Sequence, residues 1–322
     1  MDTFEQVNLN QIAAAPEDVE PFLDETVELV QKRRSQGRII FDRFLRNRAA
    51  VAGLGFLIIM VFFCYLGPTV TGHNQPDLIH PIPLNAVLNG GVRPTLQYPF
   101  GTDDVGHDWL ARAMVGGQIS LLVGFSSMLI AIVLGIGIGS VAGFFGGVID
   151  NVLMRVTDVF LAVPLYLLLF VLSATFTDGS PKSIILLIAV LAWMYTARLV
   201  RGEFLALKER EYVLAARTIG ARNFQLMFRH ILPNAAGPII VSATLLIGNN
   251  IILESVLSFF GFGIQPPTAS WGNMINVARN IDVLQNYPWQ WVPAGVAIVL
   301  TVLATNFIGD GVRDALDPRM QL

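Results

Sequence analysis

Long apolar runs separated by short polar segments dominate the chain from residue 49 onward. The runs cover 49–66, 119–145, 159–176, 184–200, 235–260 and 292–308. About 20 apolar residues in a helix are needed to cross roughly 30 Å of hydrocarbon, so each run predicts a membrane-spanning helix. Pro164 is expected to kink the third span, since proline interrupts the helical hydrogen bonds. The predicted fold class is an all-α polytopic membrane protein with six transmembrane helices.

Composition supports the same class. The chain has 322 residues, of which 53% are hydrophobic and only 14% charged, and its mean hydropathy is +0.58. Soluble domains carry about a quarter charged residues, so a soluble protein is excluded.

Residues 1–48 differ from the rest and are expected to form a separate cytoplasmic segment before the transmembrane domain 49–322. The first 31 residues hold no Lys or Arg, which argues against a secretory signal. We predict an acidic tail over 1–21 and a polar helix over 22–34. In 38–48, apolar residues alternate with cations at helical spacing, which predicts a helix lying flat at the membrane surface.

The distribution of cations predicts the orientation. In a six-span arrangement, 17 of the 21 Lys and Arg residues fall on the side of the N-terminus. The other four are Arg93, Arg112, Lys182 and Arg279. Because Lys and Arg accumulate in cytoplasmic loops, both termini are predicted to be cytoplasmic.

The segment 201–233 is the most distinctive of the inner loops. Seven cations and three acids lie between Arg198 and Arg229. We predict two short helices separated by a bend at Gly220, the second starting at Asn223 with Phe224, Phe228 and Ile231 on one face. Such a compact basic knob is suited to docking into a groove of a partner.

This segment resembles the EAA loop of ABC-importer permeases. The matching positions are Ala215, Ala216, Gly220, Leu232 and Pro233. Two positions depart from the pattern, because Leu214 replaces the Glu of the triplet and His230 replaces an Ile. Glu211, one turn earlier, is a hypothetical substitute for the missing acid. An ordinary charged loop is the alternative.

The resemblance implies that the segment is a coupling helix that inserts into an ATP-binding subunit. The candidate coupling residues are Glu211, Leu214, Ala215, Ala216, Arg217, Gly220, Arg222 and Pro233. Ala215, Ala216 and Gly220 are expected to keep bulk low where the helix enters the groove.

Three further stretches resemble permeases of the dipeptide, oligopeptide and nickel branch. Pro99–Leu121 is similar to GTDxxGRDxxSR, although His107 and Ala111 depart from it, and Gly261–Ile275 is similar to LGxGxQPPxxSWGxM. The tail Gly309–Arg319 is similar to the ending of the same family. The long N-terminal extension and Arg46–Leu54 indicate the C-type subunit.

The resemblance also implies a type I ABC-importer permease fold and a set of partners. These are a B-type permease subunit, two ABC ATPase subunits, an extracytoplasmic solute-binding protein and the lipid bilayer. The implied localisation is the inner membrane of a prokaryote. The chain itself has no Gly-Lys pair and therefore no phosphate loop, so ATP and Mg are expected in partner subunits and no cofactor in this chain.

Residues outside the loop are candidates for two further roles. The candidates for the outer face and for docking of the binding protein are Asp103, Asp108, Gln265, Pro266, Pro267 and Trp271. Trp271 is expected at the membrane interface. For the translocation path they are Asn249, Asn250 and Glu254. A rim or packing role for Glu254 stays open.

A metal site is an alternative interpretation of the stretch Pro99–Leu121. The site would comprise Asp103, Asp104, His107 and Asp108, whose residue types suit a metal. Turn-forming and helix-capping carboxylates explain the same string, and no metal is predicted.

The predicted function is that of the transmembrane subunit of an ATP-driven importer of dipeptides or oligopeptides. Alternatives are import of nickel, haem, glutathione or another small solute by the same machinery, and an ATP-independent transporter or channel. An enzyme is disfavoured, because the four histidines are scattered over different loops and neither HExxH nor GxSxG occurs. No nucleic-acid partner is expected.

Overall fold

The computed structural model describes residues 36–316, so the predicted tail 1–21, the predicted helix 22–34 and the last six residues lie outside it. The described helices, in chain order, are α1 Gln36–Arg46, α2 Arg48–Tyr65, α3 Gly67–Thr71, α4 Leu84–Leu88, α5 Trp109–Phe145, α6 Gly147–Ala162, α7 Leu165–Phe176, α8 Pro181–Leu207, α9 Glu211–Thr218, α10 Asn223–Gln225, α11 Leu232–Phe259, α12 Trp271–Asn276, α13 Ile281–Asn286 and α14 Val292–Leu316. A π-helix, Leu226–Ile231, joins α10 to α11. No strand occurs in residues 36–316.

Five helices are long and apolar enough to cross a membrane, and a sixth crossing results if the bent pair α6 and α7 is counted as one span. The five are α2, α5, α8, α14 and the continuous stretch 223–259 that contains α11. The predicted all-α polytopic fold is therefore confirmed.

The helix ends fall into two groups that define two ends of the molecule. At one end, the Lys208 ammonium donates to the carbonyl of Gly143, and the Asn47 side chain donates to Asp314. We call this the knob end, because segment 208–233 lies there. The opposite end carries the connection 260–270 and is called the loop end. Both ends of the described chain, residues 36 and 316, lie at the knob end.

The third predicted span is wrong in its boundaries. Residues 146–158 were expected to be a loop, but α6 extends over them and meets α7 at a 90° bend. The break lies at Val163, which is in extended backbone, and at Pro164, whose ψ of 122° is not helical. Proline lacks an N–H and disfavours helical backbone in the residue before it, which explains the position of the break. The 12 residues of α7 are about 18 Å long, too short to span a bilayer alone.

Several other spans are longer than the apolar runs. The second begins at Trp109, ten residues before the predicted start, because the Asp108 carboxylate caps the first turn through the N–H groups of Leu110 and Ala111. The fourth and sixth continue to Leu207 and Leu316. Their polar last turns pack against other parts of the chain, so the helix does not end where the apolar run ends.

α5 and α8 form the most extensive helix pair, and glycines allow it. A Cβ on Gly139 would clash with the backbone of Ala197, and one on Gly135 would lie 2.5 Å from Thr196. Gly137, between them on the other face, has nothing within 4 Å. Small residues at these positions allow the two helix backbones to approach closely.

α1 is the helix expected at the membrane surface. It ends at Arg46, and Asn47 then starts α2 by accepting a hydrogen bond of 3.1 Å from the N–H of Ala50. The aromatic ring of Phe44 packs near Gly311 of α14. α1 is thereby attached to the knob end.

Candidate coupling site

The knob consists of α9, a tight turn, α10 and the π-helix. α8 ends at Leu207, and Arg210, in extended backbone, precedes α9. The predicted loop 201–233 is thus largely helical, and only the short connections around α9 are irregular. After α10 the chain continues without interruption through the π-helix into α11. The knob is therefore connected rigidly to a membrane-spanning helix.

Gly220 ends α9 by a backbone mechanism. Its φ of +88° lies in the left-handed region, which side-chain-bearing residues rarely adopt. The N–H of Ala221 donates to the carbonyl of Ala216 over 3.1 Å, and the N–H of Gly220 donates to Arg217 over 3.0 Å. These bonds form the glycine cap that commonly closes a helix. The predicted helix stop is confirmed.

One side of the knob is buried against the membrane helices. Val213 and Ala216 of α9 and three residues of the π-helix pack on Phe144 and Phe204 in a single apolar cluster. The three are Leu226, Met227 and Ile231. The knob is therefore held in place by the chain itself.

The other side of the knob is exposed and unusually apolar. Ile219 and Phe224 are 87% and 71% exposed, and the rings of Phe224 and Phe228 lie 4.5 Å apart. Tyr212 and Leu214 are also exposed. These five side chains are called the apolar patch. Exposed apolar side chains at a polar end of a membrane protein indicate an interaction surface.

The candidate coupling residues divide between the two sides. Seven are exposed, and three of these seven are charged. The seven are Glu211, Leu214, Ala215, Arg217, Gly220, Arg222 and Pro233. Ala216 is 7% exposed and faces the core of its own chain. Its expected place in a partner's groove is wrong, because the helical period turns it away from Ala215.

The predicted face of the second helix also needs correction. Phe224, Phe228 and Ile231 were expected to share one face, but Phe224 and Phe228 are exposed while Ile231 is fully buried. The π-helix adds residues to the turn, so the periodicity of 3.6 no longer applies there.

Ion pairs missed by the sequence reasoning fasten α6 to α8 near the knob. The Arg201 guanidinium contacts both carboxylate oxygens of Asp150, with 2.7 Å between Nη2 and Oδ2. Arg198 pairs with Asp158. Asp150 and Thr157 are the buried residues of α6. They are seven residues, or two helical turns, apart, and this spacing was the signal in the sequence that could have predicted the helix.

At the loop end, two candidate docking residues are structural. Asp103 is buried and accepts hydrogen bonds from the N–H groups of Gly106 and His107, both over 2.8 Å, while its other oxygen lies 2.7 Å from the His107 ring. Asp108 caps α5 and pairs with His73. A direct docking role for both is wrong, since their oxygens are used internally. Residues 36–316 contain no group of three or more potential metal ligands.

The remaining loop-end candidates separate by exposure. Gln265, Pro266 and Pro267 are exposed, as docking requires. Trp271 is fully buried, and its indole N–H donates to the carbonyl of Ala113 over 2.9 Å. Its predicted position at the membrane interface is wrong, because α5 leaves room for the ring beside Gly117.

The candidate path residues separate in the same way. Asn249 is exposed, whereas Asn250 and Glu254 are fully buried inside the chain. Asn250 donates to the hydroxyl of Ser127 over 2.9 Å, and its carbonyl oxygen has no partner. Glu254 accepts hydrogen bonds from Ser120, Ser258 and Ser270. A place for Asn250 and Glu254 on an open path is wrong for this conformation.

Comparison with known families decides the identity of this arrangement. Residues 135–322 match the family described as the binding-protein-dependent transport system inner membrane component. The chain belongs to this family. Residues 35–84 match the N-terminal transmembrane domain of oligopeptide transport permease C. The protein is thus a permease, a multi-pass protein of the bacterial inner membrane.

Relatives of the permease cover most of its length. A protein of Brucella suis biovar 1 named as a peptide permease is 43% identical over 281 residues, 87% of this chain and 90% of the relative. The oligopeptide permease OppC and the dipeptide permease DppC of Bacillus subtilis are 36% and 37% identical over 87% of this chain. They are covered over 88% and 84% of their lengths.

A solved structure supports the fold. An inward-facing methionine ABC transporter, MetNI, has a chain that superimposes with a TM-score of 0.51 at 21% identity. The match covers 63% of the permease and 95% of that chain. The predicted ABC-importer permease fold is thereby confirmed.

Proposed function

We propose that the permease is the C-type transmembrane subunit of an ATP-driven importer for dipeptides or oligopeptides. Family membership supports the role as a membrane component of a binding-protein-dependent system. The peptide cargo is inferred from the names of the relatives, which are peptide, oligopeptide and dipeptide permeases.

The observation that carries the proposal is the apolar patch on the knob. The patch projects from the end of the molecule where α1, the knob and the end of α14 come together. Residues 36–48 and 198–233, together with Arg313, hold 12 of the 17 Lys and Arg residues of the described chain, which favours the cytoplasm for this end. An apolar surface in water requires a protein partner, and an ATPase subunit fits the resemblance of 201–233 to a coupling segment.

The proposed mechanism is alternating access. Binding of ATP closes the partner ATPases and displaces the knob, and hydrolysis returns it. Because the knob continues through the π-helix into α11, its displacement moves that span. The bidentate pair of Asp150 with Arg201 and the bond from Lys208 to Gly143 connect the same end to α6 and α5. Force applied at the knob is thus distributed over several spans.

The remaining partners complete the transporter. A B-type permease supplies the second half of the path, and two ABC ATPase subunits hold ATP and Mg, so that no cofactor is assigned to this chain. An extracytoplasmic solute-binding protein delivers cargo to the loop end. Gln265, Pro266 and Pro267 are the exposed candidates for contact with it.

Co-purification from detergent tests the docking surface. Tagged permease should retain two ATPase subunits and a sister permease, and Ile219→Asp or Phe224→Asp should release the ATPases while the sister permease stays bound. Leu84→Asp is the matched control, because Leu84 is 73% exposed but lies in the connection between α2 and α5 at the loop end. Equal retention of the ATPases by all three variants would contradict the proposal.

Uptake into proteoliposomes tests the cargo. The complete complex with its binding protein and internal ATP should accumulate a labelled dipeptide or oligopeptide. Accumulation of nickel, haem or glutathione in place of peptide would support the alternative cargo. Uptake without ATPase subunits would establish an ATP-independent transporter and refute the importer.

A further inference from the structure

Glu254 is a fully buried acid near the C-terminal end of α11. Three serine hydroxyls surround it, from three different parts of the chain. Ser258 and Ser270 contact one carboxylate oxygen over 2.7 and 2.8 Å, and Ser120 of α5 contacts the other over 3.1 Å. A buried acid is expensive unless its oxygens are hydrogen-bonded, and here both are.

Each serine also accepts a hydrogen bond from a backbone N–H. Ser258 accepts from Ile264 over 3.1 Å, Ser120 from Trp271 over 3.1 Å, and Ser270 from Asn273 over 3.1 Å. The three N–H groups belong to the stretch from 264 to 273, which contains most of the connection between α11 and α12. The Ser258 hydroxyl therefore bridges the carboxylate to the connection at Ile264, and the other two hydroxyls bridge it to the first turn of α12.

Two glycines make the approach possible. A Cβ on Gly263 would collide with Ser258, and one on Gly272 would lie 2.7 Å from the Cα of Ser255 and 3.1 Å from a Glu254 oxygen. The backbone of the connection is thus packed directly on α11 around the carboxylate. The side chain of Asn276, the last residue of α12, donates a hydrogen bond of 3.3 Å to the carbonyl of Ser258.

We infer that Glu254 is a positioning residue that locks the loop-end connection 260–270 to α11 and α5, so that this connection moves together with the helix that begins at the knob. Helix runs without interruption from residue 226 to residue 254, a length of about 40 Å, and so connects the knob to Glu254. The exposed Gln265, Pro266 and Pro267 lie on the connection and would be displaced with it. This inference rests on the proposed function for its transport consequences.

Local opening of the connection can be measured by the modification rate of a buried cysteine. Ala269, between Pro267 and Ser270, is 2% exposed, so modification of an Ala269→Cys variant requires the connection to open. The native Cys64 is also buried and can be distinguished by the mass of its peptide. A membrane-impermeant maleimide would be applied to the complete complex in proteoliposomes.

Glu254→Gln keeps the volume but replaces one of the two accepting oxygens by an NH2 donor, and Ser120→Ala removes one bridge. Both should raise the modification rate at Ala269→Cys at least about tenfold, because removing one partner of a buried hydrogen bond leaves the other partner unsatisfied. Ser140→Ala is the matched control, since Ser140 is a fully buried serine of α5 whose hydroxyl donates to Gly137 of its own helix. Its rate should stay within twofold of the parent rate.

A double-mutant cycle excludes a general loss of packing. Ser120→Ala should add little to Glu254→Gln, because both remove the same bridge, whereas Ser140→Ala should act independently of Glu254→Gln. Ser120→Ala is the milder change and keeps the test decisive if Glu254→Gln fails to fold. Unchanged modification of folded Glu254→Gln and Ser120→Ala variants would overturn the inference.

ATPase kinetics give the functional readout. With the connection loosened, the concentration of binding protein for half-maximal stimulation should rise about tenfold, while the basal ATPase rate of the complex stays within twofold. An equal loss of basal and stimulated rates would overturn a positioning role. Failure of the parent complex to respond to any binding protein would refute the proposed function instead, and the modification rates would still decide the role of Glu254.

Discussion

Neighbouring alanines on α9 offer the sharpest test of how the knob is oriented. Ala215 is exposed, while Ala216 is 7% exposed and lies in the cluster with Val213 and Phe204. The same substitution, Ala→Asp, therefore places a carboxyl in water at one position and in an apolar core at the next. Both variants change the charge of the knob equally, so charge alone cannot separate them.

The expected magnitudes differ widely. In Ala216→Asp, an unpaired buried carboxyl costs at least about 2 kcal/mol even when it is neutral. Extra volume in a packed core adds about 1–3 kcal/mol. The sum, about 3–5 kcal/mol, corresponds to a drop in Tm of roughly 6–15 °C for a chain of this size. Ala215→Asp should change stability by about 0.5 kcal/mol or less, as exposed substitutions do.

Thermal unfolding of the purified permease in detergent, followed by tryptophan fluorescence, measures the first effect. Retention of the ATPase subunits measures the second. Ala215→Asp should unfold like the parent protein yet retain less ATPase, because it alters the exposed surface beside Leu214. Equal Tm values for the two variants, or a lower Tm for Ala215→Asp alone, would refute the orientation of α9.

Three further predictions concern glycines and a surface carboxylate. Gly220→Ala should destabilise the permease by about 1–2 kcal/mol in denaturant titration, because its φ of +88° is unfavourable for alanine. The added methyl group meets nothing within 4 Å, so the backbone alone causes this loss. Gly202→Ala, within α8, also meets nothing and should stabilise the permease by up to about 1 kcal/mol. Gly139→Ala should lower the Tm by separating α5 from α8, and Gly137→Ala should leave the Tm unchanged or raise it. Hydrogen bonds from two serine hydroxyls and a backbone N–H hold the pKa of Asp178 well below its usual range. The stabilisation of the folded state by the Asp178 carboxylate is therefore complete above about pH 4 and is lost only as the pH falls through the lowered pKa. Asp178→Asn should therefore be less stable than the parent at pH 7, and that difference should disappear only in strong acid, as followed by unfolding at a series of pH values.

The apolar pattern by itself determined the class of the protein, the positions of five crossings and the place of the knob. These features depend on local physics, because an apolar run long enough for a bilayer must become a helix there. The glycine stop at Gly220 was equally local, since its cap is built from residues within one turn. The family resemblance rested on short matched stretches and needed no tertiary information.

Tertiary structure decided which side of each element is used. Ala216 and Trp271 were expected at surfaces and are buried, because the helical phase and the space beside Gly117 turn them inward. The π-helix changed which residues of 226–231 are buried. The charged residues of 147–162 suggested a loop, but this stretch is helix α6, which pairs with α8 through Asp150. Glu254 is the clearest case. Ser258 follows it by one helical turn, but Ser120 and Ser270 come from other segments, and sequence spacing cannot reveal that contact because only the packing of α5 and the connection on α11 creates it.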